Sequence, residues 1–139
     1  MKQTRNFDGD DRPVFDNSVL GAIIGGIGVE RAQSFIDRTI ASAEGALQEF
    51  STNNGDAREC EQIAHRLKGT AANIGLARIA LAAGEIEDLA RRDAPIAALE
   101  LQPLRAAIDV TRLGLARWLQ EGPTDEGPAP SPPLDRLGE

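Results

Sequence analysis

The chain contains no tyrosine, and only one residue each of histidine, cysteine, methionine and tryptophan among its 139. One His and one Cys exclude an internal disulfide and all but exclude a His/Cys zinc site within one chain. Aromatic residues make up 4% of the composition, which leaves little for base stacking or a deep aromatic pocket. The core must then be built from Ala, Ile and Leu, a composition that favours packed helices. Basic residues are also in deficit. A net charge of −7 and a pI near 4.7 argue against nucleic acid, whose phosphates call for clustered Lys and Arg, and against an anionic membrane surface. No apolar run approaches membrane-spanning length, and the opening MKQTRNFDGDDRPVF has no apolar signal-peptide region, so the expectation is a cytoplasmic protein.

What is present is enough for one domain with a real core, and too little for two ordinary ones. Residues 1–13 read as a flexible polar arm, residues 14–121 as a helical bundle, and residues 122–139, containing PAPSPP, as a disordered Pro-rich tail. A polyproline ligand is the alternative for that tail. Asp16 is placed to cap a short helix in which Leu20, Ile23, Ile24 and Ile27 follow helical spacing, weakened by Gly25, Gly26 and Gly28. A longer helix follows from Val29 to Phe50, with Ala32, Phe35, Ile36, Ile40, Ala43, Leu47 and Phe50 inward, and Ser51 to Gly55 form a loop.

Asp56 with Glu59 begins the next helix, and Gly75 ends it. Leu76 to about Asp93 forms a further helix, with Leu76, Ile79, Ala80, Ala83, Ile86 and Ala90 inward. Glu87 falls on that same apolar stripe with no partner evident from sequence. Pro95 opens the last helical stretch, which Pro103 kinks or restarts, and Leu104, Ile108, Thr111, Leu115 and Trp118 carry its inner face to Gln120. The expected fold is all-α, an antiparallel four-helix bundle with a short additional N-terminal helix.

The single histidine lies in the run His65-Arg66-Leu67-Lys68-Gly69-Thr70-Ala71-Ala72-Asn73-Ile74-Gly75. Advancing about 100° per residue puts Ala57, Cys60, Ile63, Ala64, Leu67, Ala71 and Ile74 in one apolar arc of roughly 120°. Cys60 is then a buried, inert thiol. His65 falls about 140° from the centre of that arc, beside Arg58, Glu61, Lys68, Gly69 and Ala72. Two of those neighbours have almost no side chain, so the ring stands on a lowered surface that suits docking. An exposed imidazole is a good nitrogen nucleophile near neutral pH and takes a phosphoryl group without an auxiliary base. Lys68, three residues along, is positioned to stabilise the charge of the product, and Gly69 leaves room for another protein's active site.

The run Ala64-His65-Arg66-Leu67-Lys68-Gly69, followed by small residues, Ile74 and Gly75, resembles the signature of histidine-containing phosphotransfer (HPt) domains. Phe15-Asp16 is similar to the start of that family's first helix and Ile86-Glu87-Asp88-Leu89 to a segment after the histidine, so the resemblance spans Val14 to Gln120. It implies a bacterial-type phosphorelay intermediate in which His65 accepts a phosphoryl group from a receiver-domain aspartate and passes it on. It also implies roles for Lys68 in stabilising phosphohistidine and for Gly69 in clearance. The expected partners are response-regulator receivers and a hybrid histidine kinase. Gln62, Arg58, Glu61 and Arg66 join Gly69 and Ala72 as candidate contacts. The resemblance implies no metal or nucleotide of the chain's own, with Mg²⁺ supplied by the receiver, and no ATP-dependent kinase activity. A free-standing monomer is expected. The competing reading is a helical adaptor that binds receivers or kinases without carrying phosphate.

Overall fold

The computed structural model describes residues 12–52 and 56–122. The arm expected over 1–13 and the tail expected over 122–139 lie almost wholly outside these residues. Five helices occur among the described residues: α1 (Asn17–Ile27), α2 (Val29–Thr52), α3 (Ala57–Asn73), α4 (Ala77–Arg91) and α5 (Ala98–Glu121). Helices α2 to α5 pack in a ring, each against two neighbours, and α1 lies against α2. The described residues are thus the all-α bundle with an extra N-terminal helix read from the sequence.

Local chemistry sets the helix ends. Asp16 and Asp56 each accept a hydrogen bond at 3.2 Å from a backbone N–H three residues on, satisfying a donor that the first turn leaves open. Between α3 and α4, Gly75 adopts φ 84°, and a Cβ there would approach Leu20 N to 2.9 Å and Asp16 O to 3.0 Å. Only glycine meets both demands. The Asp16 N–H donates to the Gly75 carbonyl at 2.9 Å, so the α3–α4 turn is tied to the start of α1.

The core runs through Leu20, Ile36, Leu76, Ile79, Ile86, Leu101 and Leu104, all under 3% exposed. Cys60 is buried there, and burial raises its thiol above the ordinary pKa. Trp118 is buried and donates its indole N–H to Asn17 Oδ1 at 2.8 Å, pinning α5 to the first turn of α1.

Four sequence expectations shift. Phe35, assigned to the core, is 48% exposed, because it sits at the edge of the α2 stripe, where Arg38 lies 5.3 Å over its ring. Ser51 and Thr52 extend α2 rather than starting the loop, their hydroxyls bonding back to Leu47 and Gln48 carbonyls. The helix after Gly75 stops at Arg91, two residues short of Asp93, which takes φ 58°. Pro95 precedes the last helix, which starts at Ala98 and continues through Pro103 as one element. The carbonyl that loses its donor there belongs to Leu99, which is 74% exposed and open to water.

Candidate functional site

The capped start of α3 fixes the rotation of that helix. Cys60, Ala64, Leu67 and Ala71 turn inward, and His65 turns out beside α4 with its side chain 70% exposed. Across from it, α4 presents Glu87, 1% exposed among otherwise apolar neighbours on its stripe. A buried carboxylate must be paired to stay ionised. Glu87 has three partners. Its Oε2 lies 2.7 Å from His65 Nδ1 and 2.7 Å from Arg91 Nη2, and its Oε1 lies 2.7 Å from Lys68 Nζ.

Contact with the Lys68 ammonium outweighs the penalty of burial and, with the His65 hydrogen bond and the Arg91 charge, lowers the Glu87 pKa to about 2. At any pH near neutral Glu87 is an acceptor only. His65 Nδ1 must therefore carry a proton and donate it to Oε2, which leaves the lone pair of the neutral ring on Nε2. The site holds an exposed imidazole in one tautomer.

Arg91 is itself anchored. Its Nε donates to Glu61 Oε2 at 3.2 Å and its Nη1 lies 3.7 Å from Asp88 Oδ1. The hydrogen bond to Glu61, and then the charge of Glu87, raise its pKa further. Lys68 reaches Glu87 across Gly84, where a Cβ would come within 3.3 Å of Lys68 Cδ. The small residue in α4 gives the aliphatic stem of Lys68 its path.

The residues singled out in the sequence occupy one face. His65, Arg58, Gln62, Arg66, Gly69 and Ala72 are all exposed, while Lys68 and Glu61 are half-buried. A Cβ on Gly69 would meet nothing within 4 Å, so no packing among the described residues requires glycine at that position. The sequence places Glu87 as an acid on an apolar stripe without a partner, and nothing in it singles out Arg91 on its own. The signal was there: an acid at a buried position, with a basic residue one turn on, facing a helix with His and Lys three residues apart. What sequence does not contain is the register between α3 and α4, which brings the two sets together.

Fold and site define a helical-bundle protein that presents one solvent-facing imidazole backed by a buried carboxylate. The sequence model of the Hpt domain family matches residues 30–119, well over half of the chain, and the chain belongs to that family, the histidine-containing phosphotransfer domains. The matched stretch holds α3, α4 and nearly all of α2 and α5, so the resemblance noted at Phe15-Asp16 lies outside it. No match was found among curated proteins or among solved structures. Membership places the chain in histidine phosphotransfer within phosphorelays, which engages receiver domains and kinases generally. No described helix is long and apolar enough to cross a membrane.

Proposed function

We propose that His65 is the phosphoryl carrier of this chain, taking the group from a receiver aspartate and returning it to another receiver. The observation that carries this reading is the 2.7 Å contact between His65 Nδ1 and ionised Glu87, which leaves Nε2 as the exposed nucleophile. In the forward step the Nε2 lone pair attacks phosphorus in the partner's aspartyl phosphate. The N–P bond forms, the P–O bond breaks, and the carboxylate leaves with the electron pair. Nε2 has no proton to lose, and the Nδ1 proton stays where it is. The ring becomes positively charged as the bond forms, and Glu87 lies against that charge.

Lys68 is the residue assigned to the arriving phosphoryl oxygens. Its flexible stem and 42% exposure let the ammonium turn from Glu87 Oε1 toward the phosphoryl group, while Arg91 remains on the carboxylate. Gly69 and Ala72 keep the approach open. On this reading the receiver brings the Mg²⁺, and ATP alone is expected to leave the chain unlabelled. A cytoplasmic location and a monomeric carrier fit this reading.

The test is transfer from a phosphorylated receiver in the presence of Mg²⁺. The wild-type chain is expected to take up acid-labile phosphate, and His65→Ala none. Tight receiver binding that survives His65→Ala, with neither protein labelled, would instead establish the non-phosphorylated adaptor.

A further inference from the structure

A chain of side-chain contacts runs from α3 to α4 and back. Glu61, on α3, accepts from Arg91 Nε at 3.2 Å, and Arg91, on α4, donates from Nη2 to Glu87 Oε2 at 2.7 Å. The same Oε2 takes the His65 Nδ1 proton at 2.7 Å, and His65 stands on α3 one turn beyond Glu61. The remaining nitrogen of the guanidinium, Nη1, lies 3.7 Å from Asp88 Oδ1. Arg91 is 56% exposed, and an ion pair between two exposed side chains contributes little, because either end can return to water. Here one end cannot. Glu87 is 1% exposed, so solvent does not replace a partner that leaves it.

Lys68 is the other cation on Glu87, 2.7 Å from Oε1, and the proposed transfer takes it away. As Lys68 turns to the phosphoryl oxygens, the N–P bond has still to form and the ring is still neutral. With no other cation beside it, the buried carboxylate would recover a proton. A protonated Glu87 donates to Nδ1, which is bare only in the tautomer whose proton sits on Nε2, the atom that must attack. Resting on the phosphocarrier reading above, we infer that Arg91 is a positioning residue for the transfer. It holds the Glu87 carboxylate on His65 Nδ1 while Lys68 is turned away, and Glu61 holds Arg91 in place. Once the bond forms, the cationic ring replaces Lys68 against Glu87, so the carboxylate faces two positive charges at both ends of the step. Glu61, a candidate partner contact by sequence, is then spent within the chain.

Lys68→Ala leaves Glu87 as the turning of Lys68 leaves it, so the resting chain reproduces that interval. Long-range ¹H–¹⁵N spectra of the ¹⁵N-histidine-labelled chain at pH 8 are expected to show the proton on Nδ1 in wild type, Arg91→Gln and Lys68→Ala, each of which keeps a cation on Glu87. Lys68→Ala/Arg91→Gln should lose that exclusive signature, with Nε2–H appearing, and Lys68→Ala/Arg91→Lys should regain it. In transfer from a phosphorylated receiver, Arg91→Gln should lower the saturating rate about tenfold and leave the half-saturating receiver concentration within about twofold of wild type. Arg91→Lys should recover most of that loss, and Glu61→Gln, which loosens Arg91 without removing it, should cost about threefold. Thermal melts check that each variant is folded. A Lys68→Ala/Arg91→Gln chain that keeps Nδ1–H alone, or an Arg91→Gln chain that transfers at the wild-type rate, would overturn the positioning role and leave the carrier reading standing. A raised half-saturating concentration with an unchanged saturating rate would make Arg91 a partner contact and overturn it too. Spectra as expected, with no transfer to wild type from any receiver, would mean that the carrier reading itself has failed and the role of Arg91 in transfer with it.

Discussion

At the scale of the residue, the site depends on a carboxylate that costs free energy to bury and is repaid by three partners. Glu87→Gln keeps an oxygen for the His65 Nδ1 proton but removes the charge that faces the ring and holds Lys68 and Arg91. Exchanging a charge-assisted hydrogen bond for a neutral one is worth about 1 to 1.5 kcal/mol, so phosphotransfer should slow by roughly tenfold in a single-turnover assay. The same substitution has a pH signature. The Glu87 pKa falls from 4.5 to about 2 on folding, so its contribution to stability is present above pH 4.5 and is lost as pH drops through that value toward 2. The melting temperature of wild type should exceed that of Glu87→Gln near neutrality, and the gap should close across that interval. Gly69 gives the complementary case. Gly69→Ala is expected to raise stability by up to about 1 kcal/mol through helix propensity, because the added methyl touches nothing within 4 Å, and to slow transfer by crowding the partner. Equal transfer rates would remove the clearance role.

At the scale of the element, helix ends were legible where a helix carries its own start or stop signal. Asp16, Asp56 and Gly75 are local signals whose geometry depends on a few neighbouring residues, and each appears where the sequence put it. What was not legible depended on other elements. Phe35 lies on the margin of its stripe, where neighbours decide burial, and Pro103 is tolerated because the carbonyl it orphans faces water. Glu87 is the same lesson at the site: its position on α4 was readable, but its partners belong largely to α3 and follow from inter-helix register. The junction tying α1 to the α3–α4 turn should be brittle. Gly75→Ala requires a side chain at φ 84° and a Cβ 2.9 Å from backbone, so its unfolding free energy should fall by about 2 kcal/mol or more in urea melts. In the interior of α5, Thr111 is fully buried, and its hydroxyl has no partner among the described residues. Thr111→Val keeps the shape and removes the unsatisfied group, so it should leave stability unchanged or raise it by about 1 kcal/mol.

At the scale of the whole molecule, the bundle is, on the proposed reading, a mount for one nucleophile. α3 carries His65, and α4 supplies the carboxylate that sets its tautomer. On that reading a partner completes the reaction, and this chain needs to supply only a few reactive residues. Possession of a single histidine makes the central claim directly measurable. Long-range ¹H–¹⁵N spectra of ¹⁵N-histidine-labelled protein at pH 8, recorded before and after phosphorylation, report one ring without any assignment. The account expects Nδ1 protonated and Nε2 bare in the free chain, and phosphorus bonded to Nε2 afterwards. A free chain with the proton on Nε2, or a phosphorylated one with phosphorus on Nδ1, would contradict it.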